Sequence, residues 1–180
     1  MSLIESTPVF EGRVFSVTKD RVRLPHGVDT TLDVVRHRGS VVLVPMPDES
    51  SVILVRQYRH AIGRELWEIP AGSLDPDEQP DEAALRECHE EIGLRADHAE
   101  RIASLYPSPG YTTEVMHFYR LTGLHTPPHA AAQDEDEHLE PRTFTLDQLR
   151  DAIARGEITD MKTVVALQLL DRQNPEAGPK

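Results

Sequence analysis

Two uninterrupted apolar runs stand out along the chain, Val41-Val42-Leu43-Val44 and Val52-Ile53-Leu54-Val55, separated by the turn residues Pro47-Asp48-Glu49-Ser50. Their length and β-branched content predict a hairpin of two strands buried on both faces. Ahead of them, shorter stretches predict strands at residues 13–17, 20–24 and 31–36, with a turn at Pro25-His26-Gly27. Residues 66–71 predict another strand, stopped by Pro70 and Gly72, and residues 102–106 and 115–121 predict two more.

Helical patterning is confined to three segments. The first spans Pro80–Ile92: Pro80 suits the first helical position, Asp81 and Glu82 place negative charge on the positive end of the dipole, and Gly93 suits the position after the last turn, with Leu94 behind it. The others span residues 146–155, with Thr145 as N-cap and Gly156 as stop, and residues 161–172 behind Asp160. Between strands and helices, residues 122–137 read as a long loop containing Pro127-Pro128 and Asp134-Glu135-Asp136-Glu137. A loop of that length is either functional or disordered. Strands alternating with helices give an α/β domain whose sheet is sandwiched between helices. It covers residues 37–173, preceded by a β arm at 1–36 and followed by a frayed tail at 174–180.

Composition narrows the class. The 180 residues are 38% hydrophobic and 28% charged, as in a globular domain. No apolar run reaches a membrane span, and the first residues have neither a basic nor an apolar signal region, so a cytoplasmic protein with no membrane partner is expected. Cys88 is the only cysteine, which excludes an internal disulfide and a multi-cysteine zinc site. The net charge of −12 argues against nucleic acid as a partner. It also means that a phosphorylated ligand needs a bound cation or locally placed arginines.

The chemistry concentrates in one stretch. From Gly72 to Glu91 there are eight acidic residues and one basic side chain, Arg86. At 100° per residue, Glu87, Glu90 and Glu91 share about a third of the helix circumference. Leu85, Cys88 and Ile92 fall on a different face, expected to be core. Acidic oxygens without a Cys or His cluster suit Mg²⁺ or Mn²⁺. The competing reading is a solvated acidic helix face.

The full spacing decides against that reading. Gly72, five residues, Glu78, seven residues, then Arg86-Glu87-Cys88-His89-Glu90-Glu91-Ile92-Gly93-Leu94 resembles the box of the Nudix hydrolase family, departing from it only at Cys88, where an aliphatic residue is usual. The resemblance implies a Nudix-type α/β/α sandwich with a mixed sheet and a small N-terminal antiparallel β arm. It implies that Glu87 and Glu91 ligate the metal, with help from Glu90 and the Ala71 carbonyl. Glu78 and Arg86 would fasten the loop to the helix, and Gly72 and Gly93 would serve the backbone through positive φ or close approach. The general base would come from the acidic loop, Glu135 or Glu137, with Glu90 as the alternative.

Two further stretches resemble the ADP-ribose pyrophosphatase-like branch: Val55-Arg56-Gln57-Tyr58-Arg59, and Ser108-Pro109-Gly110-Tyr111 with Glu114 behind it. They imply a small-molecule nucleoside diphosphate substrate contacted by Arg56, Arg59, Pro109 and Gly110. The reaction implied is Mg-dependent hydrolysis of ADP-ribose to AMP and ribose 5-phosphate, in a homodimer. A nucleotide sugar or dinucleoside cofactor is the alternative substrate, and a non-catalytic ADP-ribose sensor the alternative class. Phe10, Phe15 or Tyr111 would be available to stack on the adenine, with core packing the competing role for each.

Overall fold

Three strands at the start of the chain, β1 (Ser2–Glu11), β2 (Phe15–Arg23) and β3 (Asp29–His37), pair antiparallel as a sheet of their own. They are followed by β4 (Ser40–Pro45), β5 (Ser51–Arg59), a 3₁₀ turn at His60–Ile62, β6 (Arg64–Glu68), β7 (Ala71–Ser73) and helix α1 (Pro80–Ile92). Then come β8 (His98–Leu105), β9 (Met116–Thr122), β10 (Glu140–Thr145), α2 (Leu146–Ala154) and α3 (Met161–Gln173). This computed structural model describes residues 1–129 and 139–173. The tail 174–180 and the acidic run carrying Glu135 and Glu137 lie outside the described residues. No helix among the described residues is long and apolar enough to cross a membrane.

The expected hairpin between the two apolar runs does not form. β4 is buried throughout and β5 over its first five residues, as their composition required. Yet they belong to different sheets, one ordered β7-β4-β9-β8 with β4 and β9 parallel, the other an antiparallel β10-β5-β6. Val42, Val44, Val52 and Leu54 join one core with residues of α2 and α3, such as Leu149, Leu167 and Leu170. Their neighbours Val41, Leu43, Ile53 and Val55 join a second core beneath α1 with Ala84, Cys88 and Ile92. A run apolar on both faces states that it is sandwiched, but not which strand it pairs with.

Other expectations also shift. Residues 13–17 and 20–24 are not two strands: Thr18 and Lys19 carry no turn signal, and β2 runs unbroken while Arg13 and Val14 form the turn before it, where the Gly12 N–H bonds the Phe15 carbonyl at 3.0 Å. β1 had no signature because all of it is exposed, so no buried face writes an alternation. Its Pro8 is tolerated at a sheet edge. β10 was missed for a similar reason, with only Phe144 buried. The strand expected over 66–71 divides at Ile69-Pro70, where the chain leaves one sheet for the other. Gly72 therefore lies inside β7 rather than stopping a strand. β8 begins earlier than expected, at His98.

The helices follow the sequence more closely. Thr145 caps α2 in a reciprocal box with Gln148, at 3.1 and 3.0 Å. Asp160 accepts from the Thr163 amide at 2.9 Å at the start of α3.

Candidate active site

The acidic helix α1 forms over the segment the sequence marked. Pro80 opens it, and Gly93 closes it at φ 70°, with its N–H bonded to the His89 carbonyl. A left-handed residue at this point favours glycine. Ala83, Ala84, Cys88 and Ile92 form the apolar face. Leu85, expected there, is exposed: it lies at the edge of the stripe, only about 20° from Ile92 by helix geometry, and is not among the residues of the core beneath α1.

The neighbouring face holds Glu87 and Glu91, only 8% and 5% exposed, with Glu90 partly buried beside them. Carboxylates this far from water need compensating partners. The crossing at Ile69-Pro70 delivers some of them by laying β7 alongside the helix. The Ala71 N–H donates to Glu91 at 3.1 Å. Gly72 comes so close to Glu87 that no Cβ fits between them.

Arg86 ties the cluster together. Its guanidinium donates to both oxygens of Glu78 at 2.8 Å, to Glu87 at 2.9 Å and to Glu90 at 2.7 Å. Glu78 in turn accepts the Asp75 N–H at 3.0 Å, closing a turn in which Asp77 takes φ 63°. The Arg86 hydrogen bonds hold the Glu78 carboxyl below the usual carboxylate range, and the same bonds raise the Arg86 guanidinium. Burial pushes the Cys88 thiol on the adjoining apolar face up to about 12, which opposes a reactive thiolate there.

These groups wall a cleft of about 490 Å³. Ala71, Gly72, Arg86, Glu87, Glu90, Glu91 and Arg59 all line it. So do three cationic or titratable residues that sequence reasoning passed over, Arg13, His37 and Arg38. Arg13 sits in the β1–β2 turn and the other two at the end of β3, so the arm closes one side of the cleft. The basic triplet Arg36-His37-Arg38 was the available signal in an otherwise acidic chain.

Two other expected contacts lie elsewhere. Arg56 does not line the cleft; it pairs with Glu65, and with Glu140 at 3.8 Å. Pro109 and Gly110 occupy a turn whose following residues dock on β3, through Val35 N–H to the Tyr111 carbonyl at 2.8 Å and Thr113 N–H to the Val35 carbonyl at 3.0 Å. Phe10 stacks near Phe15 with ring centroids 5.8 Å apart, in the exposed arm.

The NUDIX domain family model matches residues 36–166, which include every element from β4 to the first turns of α3. The chain belongs to the Nudix family. Over 170 residues, 94% of this chain and 92% of the relative, the Nudix chain is 38% identical to the methanol dehydrogenase activator of Bacillus methanolicus. It is 34% identical to the ADP-ribose pyrophosphatase of Bacillus subtilis (strain 168) over 167 residues, 93% and 90% of the two chains. A crystal structure described as an ADP compounds hydrolase superposes with a TM-score of 0.83 at 25% identity, covering 98% of this chain and 95% of that one.

The acidic face of this Nudix domain fits a hard divalent cation by its donor chemistry, since Glu87 and Glu91 are buried carboxylates one helical turn apart. As arranged here, no three His, Cys, Asp or Glu side chains among the described residues converge at ligand distance. Arg86, bonded to Glu87 and Glu90, is a cationic partner within the cluster.

Proposed function

We propose that this Nudix enzyme hydrolyses the diphosphate bridge of ADP-ribose, giving AMP and ribose 5-phosphate, with Mg²⁺ or Mn²⁺. The observation that carries the reading is the pair of buried carboxylates, Glu87 and Glu91, on the wall of a cleft that also holds Arg59. Similarity to an ADP-ribose pyrophosphatase over nearly the whole length of both chains supports the substrate.

Glu87 and Glu91, assisted by Glu90 and the Ala71 carbonyl, would hold the cation, which when bound neutralises the diphosphate and acidifies a water. Arg59 contacts the diphosphate oxygens, for which a guanidinium fork is well shaped. Arg56, Pro109 and Gly110 would act at the periphery. A carboxylate base takes the proton of the attacking water. Glu135 and Glu137, in the acidic run of the sequence, are its candidates, with Glu90 as the one that lines the cleft. Water adds to one phosphorus, the bridging P–O bond breaks, and the leaving phosphate carries away the electron pair.

The homodimer expected from the resemblance is part of the same reading. Leu3, Val9, Phe10 and Phe15 are exposed apolar residues on the arm, a surface suited to a second copy of the chain.

Product analysis tests the function. Purified protein with Mg²⁺ is given ADP-ribose, NAD, ADP-sugars, GDP-sugars and dinucleoside polyphosphates. AMP and ribose 5-phosphate forming fastest from ADP-ribose, and only with metal, is the expected result. Faster cleavage of another compound discards the substrate and keeps the chemistry. Binding without cleavage of anything would leave a sensor.

A further inference from the structure

The cleft arginine is not a free surface side chain. Arg59 donates to both oxygens of Glu68 at 2.8 Å, from Nε and from an Nη. Glu68 is 2% exposed, among the most buried ionisable groups of the described residues. A carboxylate at that depth with a single partner would be costly. It has a second: Lys162 Nζ lies 3.1 Å from the same carboxylate and 2.7 Å from Asp160. Asp160 accepts from the Thr163 amide at 2.9 Å and hydroxyl at 2.7 Å, and the Thr163 hydroxyl accepts the Ile69 N–H at 2.7 Å.

The charges alternate, Arg59, Glu68, Lys162, Asp160, from the cleft to the start of α3. The chain of bonds closes back on Ile69, the residue next to Glu68 and two before Ala71. The backbone that presents Ala71 and Gly72 and the cation that lines the cleft are therefore anchored to the same helix end. Arg59 also lies in the field of Glu91, which without a counter-anchor would draw it toward the acidic face.

We propose that Glu68 and Lys162 are positioning residues, a buried ion-pair relay from α3 that holds the Arg59 guanidinium for the substrate diphosphate. The assignment rests on the diphosphate reading of Arg59 given above. In the relay, Glu68 engages the Nε and one Nη of Arg59 and so fixes the plane of a guanidinium that lines the cleft. Lys162 balances the charge of Glu68 so that the carboxylate stays ionised and fixed.

Steady-state kinetics on the full chain with ADP-ribose tests this, using Arg59→Ala, Glu68→Gln, Lys162→Met and the double variant Arg59→Ala/Glu68→Gln, each checked by thermal unfolding. The expected result is a rise in KM of about tenfold or more for Glu68→Gln and Lys162→Met with kcat little changed, the equivalent of one charge-assisted contact. The double variant should be no worse than Arg59→Ala alone, because coupled residues are not additive. Lys162→Arg should restore much of the KM, which a packing defect would not allow. If Arg59→Ala raises KM while Glu68→Gln and Lys162→Met only lower the melting temperature, the relay is structural and the proposal is overturned. If Arg59→Ala itself leaves KM unchanged, the diphosphate reading of Arg59 fails and takes the relay with it.

Discussion

Gly72 lies against the carboxyl group of Glu87: a Cβ built on Gly72 would fall 1.9 Å from the Glu87 Cδ and 2.0 and 2.3 Å from its two oxygens. Gly72 is not among the glycines with positive φ, so its need for glycine is one of space alone. Gly72→Ala is expected to fold, displace Glu87 by an ångström or so, and lower kcat by about a hundredfold. Circular dichroism beside turnover checks it; unchanged turnover would mean that the position of Glu87 is unimportant.

Glu91→Gln keeps the size of the side chain and removes its charge. Even indirect partners of a metal ligand are worth about 10–100-fold when removed, so a loss of at least that size in metal-dependent turnover is expected, with the fold retained. Near-normal activity would take Glu91 out of the metal site.

How much of this was legible in the sequence depends on how far apart the cooperating residues lie. Glu78, Arg86, Glu87, Glu90, Glu91 and Gly93 occupy one loop and one helix, so their spacing alone placed them. Arg59 was found through its local context. Arg13, His37 and Arg38 reach the cleft only because the arm folds against the domain, and no local pattern records that. Leu85 and the expected hairpin mislead for one reason: apolarity states that a side chain can be buried, while its partners are chosen by the rest of the fold. Arg56 has the same residue type and strand as Arg59, but the third residue back on a pleated strand faces the other way.

Glu78→Gln should destabilise the protein by about 1–3 kcal/mol, since it weakens charge-assisted hydrogen bonds from Arg86 in a mostly shielded turn. Urea unfolding measures this. Activity should fall as well, because Arg86 would be held less firmly beside Glu87 and Glu90.

Acid stability should carry the signature of Glu68. Burial pushes its carboxyl up from 4.5, but the Arg59 hydrogen bonds and the Lys162 charge prevail and leave it lowered. A depressed folded pKa means that the unfolded chain binds the proton first. The stability contributed is complete above about 4.5 and is lost as the pH falls through the folded value. Urea midpoints measured from pH 6 to 3 should therefore decline less steeply for Glu68→Gln than for the parent. Parallel slopes would show that Glu68 does not contribute.

Cys88 is fully buried with its thiol pushed up to about 12. A thiol reagent at pH 8 should leave the native protein unlabelled and modify one sulfur per chain in denaturant. Rapid labelling of the native protein would indicate that α1 opens readily.

β4 and β5 each feed two cores, Val42 and Leu54 to one side, Val41 and Ile53 to the other. A wall shared in this way cannot be dismantled from one side, because melting α2 and α3 exposes one apolar face of the same two strands whose other face holds α1. The two halves of the domain are thus obliged to unfold as one cooperative unit, with the amides of residues 41–44 and 52–55 exchanging hydrogen last. The acidic helix inherits the stability of the whole domain rather than that of its own few contacts, and so can carry a face of like charges that a peptide of the same sequence could not keep helical.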